Sequence, residues 1–409
     1  MASPGFQQII TTLRLRNFRI YLCGNVISMI GLWTQRIAVG WLTWELTHSG
    51  AWLGVIAFAD LFPALVVGPF AGVLADRVDR LKIMRVSQIL SMAQAGLLAL
   101  LAINGTITIW MLFALVLANG VISSVNQPAR LAVISSLVPR AHLSSAIALN
   151  SISFNLARFI GPALAGALIL SIGVGAAFAV NAVSFLAFLV ALAMIDVQDT
   201  RPGNERGERK SVLRDLGEGL AYVRHHPTIG PLLLLSTATG VGLRCFVELL
   251  PGFAAQVFER GAEGLAALGS AIGVGAIIGG VWIAQRNTSS SFARIALIAS
   301  LCTALSVLAF AATDDFWIAL VCATAFGMFM SVSGIAVQTT VQMRADSHVR
   351  GRTLSVYGLI TRASPATGAL ILGAASEVAG LRLPLVLAAI ACLLVWLIVW
   401  QRRATIDPN

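Results

Sequence analysis

Charge is scarce in this chain. Asp, Glu, Lys and Arg together make up 11% of its 409 residues, less than half of the roughly 25% found in soluble globular proteins. A sequence so poor in charge cannot coat a water-soluble fold, which excludes a soluble enzyme and a disordered protein alike. Cysteine is sparse and scattered. Cys23, Cys245, Cys302, Cys322 and Cys392 all lie inside apolar stretches, with no C-x-x-C spacing. That excludes a disulfide scaffold and gives no metal-type cluster, so these residues read as small apolar packers. No G-x-x-x-x-G-K-[ST] loop occurs, which argues against ATP hydrolysis by this chain. None of the five histidines sits in the middle of an apolar run. A Ser–His catalytic pair at membrane depth is thereby excluded, and carboxylates are left as the proton carriers available there. The first apolar run carries no A-x-A-like cleavage site and is long enough to remain a span.

Apolar residues make up 57% of the chain, and its mean hydropathy is +0.85. Runs of about 20 such residues are the signature of membrane-spanning helices. Twelve fall near 20–46, 52–75, 83–103, 107–127, 144–170, 174–195, 229–257, 264–285, 293–312, 316–338, 353–376 and 383–401. The expected fold is therefore an all-α membrane protein of twelve transmembrane helices. One long polar interruption, 196–228, divides it into an N-terminal six-helix bundle (1–195) and a C-terminal one (229–409). Within that linker, Ser211–Val223 has the pattern of an amphipathic surface helix.

The net charge is +10, and its placement fixes an orientation. With both termini cytoplasmic, 22 of the 28 Lys and Arg residues fall in inward loops and ends. Only Arg260 and Arg382 fall outside, while Arg36, Arg158, Arg244 and Arg362 lie within spans. This positive-inside bias reads the basic residues as topogenic, facing anionic head groups, and not as a nucleic-acid surface. The bilayer and a small-molecule substrate are the partners expected, with no nucleic acid, and the chain is expected to act as a monomer.

The two halves repeat. Pro139-Arg-Ala-His-Leu-Ser-Ser-Ala-Ile-Ala-Leu-Asn-Ser151 leads into Arg158-Phe-Ile-Gly-Pro162, and Val349-Arg-Gly-Arg-Thr-Leu-Ser355 leads into Arg362-Ala-Ser-Pro365. Equivalent six-helix halves joined by a central loop are the plan of a rocking transporter with its site at the midplane.

The loop after the second span, Gly72-Val-Leu-Ala-Asp76-Arg77-Val-Asp79-Arg80-Leu-Lys82, resembles the signature loop of the major facilitator superfamily, G-x-L-a-D-R-x-G-R-[RK]. Gly72 would let helices approach closely. Asp76 suits a helix N-terminus, and Arg77 and Arg80 suit pairing with carboxylates, so the four form a candidate conformational latch. Asp79 replaces the usual glycine. The corresponding loop of the second half, Gly279–Arg286, has no acid, so the latch is expected on one side only. In the fifth span, Ala157-Arg-Phe-Ile-Gly161-Pro162-Ala-Leu-Ala-Gly166 resembles the superfamily's antiporter motif, with alanine at two glycine positions. That likeness implies export, through a kinked and closely packed helix at Gly161, Pro162 and Gly166. Trp33-Thr-Gln-Arg36, Trp41-Leu-Thr-Trp44, Pro63 and Gln127-Pro-Ala-Arg130 are similar to the enterobactin-exporter and macrolide-efflux branch of proton-linked exporters. The resemblance implies alternating access with the proton as coupling ion and no other cofactor. The alternative within the same fold is a lipid or lysolipid flippase.

Ionisable groups at bilayer depth are costly, and they are functional or paired. Asp60 and Glu248 are the embedded acids and the candidate proton couplers. At about 1.5 Å rise per residue, Arg36 and Asp60 lie at similar depths, so Asp60 reads either as a carrier or as a static partner of Arg36. Arg244 and Glu248 are spaced i, i+4 and would share a face of one helix. Arg36, Arg158, Arg244 and Arg362 suit an anionic or amphiphilic solute, with Asn25, Asn155 and Gln338 as polar liners. Arg158 and Arg362, at repeat-equivalent positions, also read as struts bonded to backbone carbonyls. Trp33 is placed to stack on a ring-bearing solute. Neither a metal nor a nucleotide site is expected.

Overall fold

The computed structural model describes residues 4–75, 78–196, 212–286 and 291–406, and these are helical, with no strand among them. Lipid offers no partner to a backbone N–H or C=O, so an apolar chain must satisfy these groups within each segment, as helices do. In chain order the N-terminal helices are α1 (Pro4–Arg14), α2 (Arg16–Thr47), α3 (Gly50–Leu61), α4 (Pro63–Val66) and α5 (Gly68–Ala75). They are followed by α6 (Arg80–Ile103), α7 (Ile109–Leu137), α8 (Leu143–Ser171) and α9 (Val174–Met194). After the linker come α10 (Val212–His225), α11 (Ile229–Thr239), α12 (Phe246–Gly252) and α13 (Gly261–Ala284). The chain continues through α14 (Phe292–Ala312), α15 (Phe316–Arg344), α16 (Arg350–Ala379), α17 (Arg382–Gln401) and α18 (Arg403–Ile406).

Each expected apolar stretch falls on helix, but their characters differ. Among the described residues, nine helices are long and apolar enough to cross a membrane. Helices α2 and α16 have 32 and 30 residues but carry more polar side chains. The second stretch is broken into α3, α4 and α5, with Pro63 opening α4 where its missing N–H bends the chain. The seventh contains two wide turns, Gly240–Arg244 and Phe253–Val257, on either side of α12. Much of the apolar surface faces outward: Phe70 is 73% exposed and Trp110 68%, which suits a lipid-facing wall and not a water-facing one.

The chain forms two compact units. The first consists of Met1–Leu42 and Pro63–Arg206, and its core gathers Phe18, Tyr21, Met84, Val133, Phe188 and Leu192. Polar side chains inside it bond to one another. Asn181 Nδ2 donates to Gln35 Oε1 (2.8 Å), Gln35 Nε2 to Gln94 Oε1 (3.3 Å), and Gln94 Nε2 to the Leu115 carbonyl (3.1 Å).

The second unit consists of Thr43–Phe62 and Gly207–Asn409, so α3 packs with the C-terminal part of the chain. It crosses α16 at van der Waals closeness: a Cβ on Gly54 would stand 2.2 Å from the Ala369 carbonyl oxygen. Phe246, Phe253, Phe310 and Phe326 meet edge-to-face in its interior. The amphipathic segment expected in the linker is α10, and it is tied down at its middle and near its C-terminal end. Arg352 pairs with Glu218 at 2.6 Å, and the Tyr222 hydroxyl donates to Asp346 Oδ2 at 3.2 Å. Residues 197–211 of the linker lie outside the described residues.

Candidate functional site

Within the first unit, α2 and α8 cross at Gly161. A Cβ there would lie 2.4 Å from Trp33 Cβ and 3.1 Å from the Thr34 nitrogen, so only hydrogen fits. The Thr34 hydroxyl lies 2.9 Å from the Ile30 carbonyl of its own helix and 3.3 Å from the Gly161 carbonyl across the crossing. Pro162 and Gly166 are buried alongside.

This crossing brings α8 side chains to the Trp33 indole. Arg158 stands one turn before Gly161, and its guanidinium carbon lies 5.6 Å from the Trp33 ring centroid. Arg36, three residues after Trp33 on α2, stands 5.6 Å from the same centroid. Phe154 completes the group edge-on at 5.8 Å. Two cations on one indole contribute about 0.5–1 kcal/mol each at exposed sites and more when desolvated. Trp33, Arg36 and Arg158 are all half-buried, so a ring and two positive charges are presented together.

A second polar cluster involves Asn25, which is fully buried. Its Nδ2 donates to Asn150 Oδ1 (3.1 Å), and its Oδ1 accepts from Arg130 Nη2 (2.6 Å). Asn25 is therefore interhelical glue joining α2, α7 and α8. Arg130 was counted among loop residues in the charge pattern, yet α7 continues seven residues beyond it to Leu137. Pro128 hides this from a sequence reading, because proline reads as a helix end. The signal that would have found it is the apolar period running on through Leu131, Val133 and Ile134.

The remaining candidates lie on α3, α8, α12, α15 and α16 and in the turn before Phe246. Asn155 bonds the Ser151 carbonyl of its own helix (2.9 Å). Arg244 Nη1 reaches the Thr361 carbonyl (3.4 Å), while Arg362 and Gln338 are exposed. Asp60, in the last turn of α3, and Glu248, in the first turn of α12, are both half-buried. Asp60 belongs to the second unit and Arg36 to the first. The i, i+4 argument for Arg244 and Glu248 assumed one regular helix. The structure interrupts it: the wide turn ends at Arg244, and Glu248 N–H bonds the Cys245 carbonyl three residues back (3.0 Å).

In the latch loop, Asp76 and Arg77 lie outside the described residues. Gly72 corrects one expectation. Nothing described lies within 4 Å of where its Cβ would be, so no described helix packs against it. Asp79 has a clear one: its carboxylate caps α6, accepting from Leu81 N–H (2.8 Å) and Lys82 N–H (3.2 Å). Arg80 opens the same helix, its Nε buried without a hydrogen-bond partner among the described residues.

One contact had no sequence signal. Glu377, one residue past the apolar stretch of α16, accepts hydrogen bonds from the Ser49 hydroxyl and from Ala51 N–H (3.0 Å) at the start of α3. Ser49 itself caps that helix by accepting from Trp52 N–H (3.1 Å). The Ser49 and Ala51 hydrogen bonds hold the Glu377 carboxyl below the usual glutamate value. The two residues lie 328 positions apart, which no local pattern reveals.

Comparison with known proteins gives this geometry a family. The staphyloferrin A transporter of Staphylococcus aureus is 22% identical over 365 residues, covering 89% of this chain and 90% of that protein. Enterobactin exporter EntS of Shigella flexneri is 26% identical over 363 residues, covering 87% and 84%. A crystal structure of a POT family transporter superposes with a TM-score of 0.75 at 13% identity, covering 96% and 97%, which shows a shared fold. The model of the transmembrane secretion effector family matches residues 8–406. The chain thus belongs to the transmembrane secretion effectors of the major facilitator superfamily, a family of membrane transporters for small molecules.

Proposed function

We propose that this protein exports a small anionic or amphiphilic compound, siderophore-like or drug-like, across a bacterial cytoplasmic membrane. Export proceeds by alternating access of a twelve-span monomer with both termini cytoplasmic, driven by proton entry. The names of the staphyloferrin A transporter and the enterobactin exporter support the solute class, and the positive-inside pattern supports the orientation.

The observation that carries the reading is the pair of guanidiniums on Trp33, Arg36 and Arg158, each 5.6 Å from the ring centroid. An aromatic acid has one group for each component: its ring stacks on the indole and its carboxylate or phenolate faces a guanidinium. Asp60 and Glu248 are the carboxylates assigned to proton coupling, because a charge at bilayer depth is costly unless it works. Asp76, Arg77 and Arg80 are assigned to the latch. The proton is the sole coupling species, and no metal or organic cofactor takes part.

The test is uptake of a panel of aromatic acids and their neutral analogues into everted vesicles. Arg158→Gln is expected to remove the preference for the acids, and Trp33→Ala to raise KM for ring-bearing solutes. A panel in which Arg158→Gln transports acids and neutral analogues as the native protein does would reject the assignment.

A further inference from the structure

At one end of the second unit, α10, α11 and α17 enclose a cleft of about 280 Å3. Gly230 makes it possible: it sits against the Val223 carbonyl, where a Cβ would come within 2.6 Å, and so draws α11 under α10. The cleft has two chemistries. Arg224 and Arg402 line it from the C-terminal ends of α10 and α17, while Leu220, Leu234 and Ile398 give it an apolar wall. Those three apolar side chains are each more than half exposed. Neither guanidinium makes an ion pair or side-chain hydrogen bond among the described residues. Among the described residues no carboxylate lines the cleft, and the α10 acid Glu218 pairs instead with Arg352.

Two cations facing one cleft repel each other until an anion joins them, and the apolar wall needs a hydrocarbon partner. The cleft opens where α11 begins and α17 ends, which is the level of the head groups for helices that cross a bilayer. The basic loops place this end on the cytoplasmic side, where anionic lipids hold a negative surface potential. We infer that this cleft is a binding site for an anionic phospholipid. The phosphate lies between Arg224 and Arg402, and an acyl chain runs along Leu234 and Ile398, with Leu220 covering the glycerol. A free phosphate would satisfy the arginines and leave the wall bare. The lipid is a resident of the surface and is distinct from the transported solute, so the site rests on the cytoplasmic orientation proposed above and not on the export reading.

Native mass spectrometry of the full-length protein in detergent, titrated with phosphatidylglycerol, phosphatidylcholine or inorganic phosphate, tests it. Phosphatidylglycerol is expected to bind in preference to phosphatidylcholine, and added salt should erode that preference. The double variant Arg224→Gln/Arg402→Gln should lose roughly thirtyfold in phosphatidylglycerol affinity while melting as the native protein does. Leu234→Ser should weaken the lipid and leave inorganic phosphate unaffected. Equal binding of the two lipids by the native protein, or a preference insensitive to salt, would overturn the proposal without recourse to any variant. So would inorganic phosphate displacing the lipid at equal concentration, which would mark a simple anion site.

Discussion

Replacing Gly161 with alanine adds one methyl group at the tightest point of the α2–α8 crossing. That carbon would start 2.4 Å from Trp33 Cβ, 3.0 Å from the Trp33 carbonyl carbon and 3.1 Å from the Thr34 nitrogen. Carbon atoms rest at about 3.5–4.0 Å, so the helices must part by roughly 1 Å. Two of the three obstacles are backbone and cannot turn aside. Overpacking of this kind costs about 1–3 kcal/mol. Parting the helices also breaks the Thr34–Gly161 hydrogen bond (3.3 Å), worth about 1 kcal/mol. Alanine's better helix propensity returns about 1 kcal/mol. The balance is a destabilisation of about 1–3 kcal/mol. Gly72→Ala is the control, because nothing described lies within 4 Å of its Cβ position; it should be neutral or stabilising by up to about 1 kcal/mol. Thermal unfolding of the two variants in one detergent decides the matter. The reasoning is refuted if Gly161→Ala melts at or above the native protein, or above Gly72→Ala.

Asn25→Leu leaves Arg130 without its acceptor and Asn150 without its donor, at a cost of about 1–3 kcal/mol. Asn155→Leu, which loses only a bond to its own helix, should cost less when both are melted side by side. Glu377 has its carboxyl held below the usual glutamate value by Ser49 and Ala51. Its contribution is complete above the unfolded value and is lost as pH falls through the lower folded value. The native protein should therefore lose stability relative to Glu377→Gln as pH drops below about 4.5, and parallel melting curves in acid would contradict this.

The helical plan was legible because hydrophobicity and charge act locally. Lys and Arg end apolar runs and about 20 apolar residues make them, whereas the division expected at 196–228 is not the one the packing makes, since Thr43–Phe62 joins the second unit. The antiporter-like motif also pointed to a real feature, since Gly161 is where α8 meets α2. What escaped the sequence depends on neighbours distant along the chain. Gly72 and Gly161 are the same residue type in equally suggestive motifs, yet among the described residues only Gly161 has another helix against it. Arg130 read as a loop residue because Pro128 precedes it, although α7 carries both. Glu377 caps a helix more than 300 residues away, and the pairing of α3 with α16 is a fact of tertiary packing. The wide turn before Arg244 is a similar case, because an apolar run does not disclose a change of helical pitch.

The most direct test of proton-driven export is a comparison of native protein and Asp60→Asn in proteoliposomes holding a pH-sensitive dye and no nucleotide. On addition of a transported aromatic acid, the native protein should move protons opposite to the solute. Asp60→Asn, with an unchanged melting temperature, should move neither against a gradient. Solute accumulation by Asp60→Asn at the native rate, or by the native protein with no accompanying proton flux, would contradict the account.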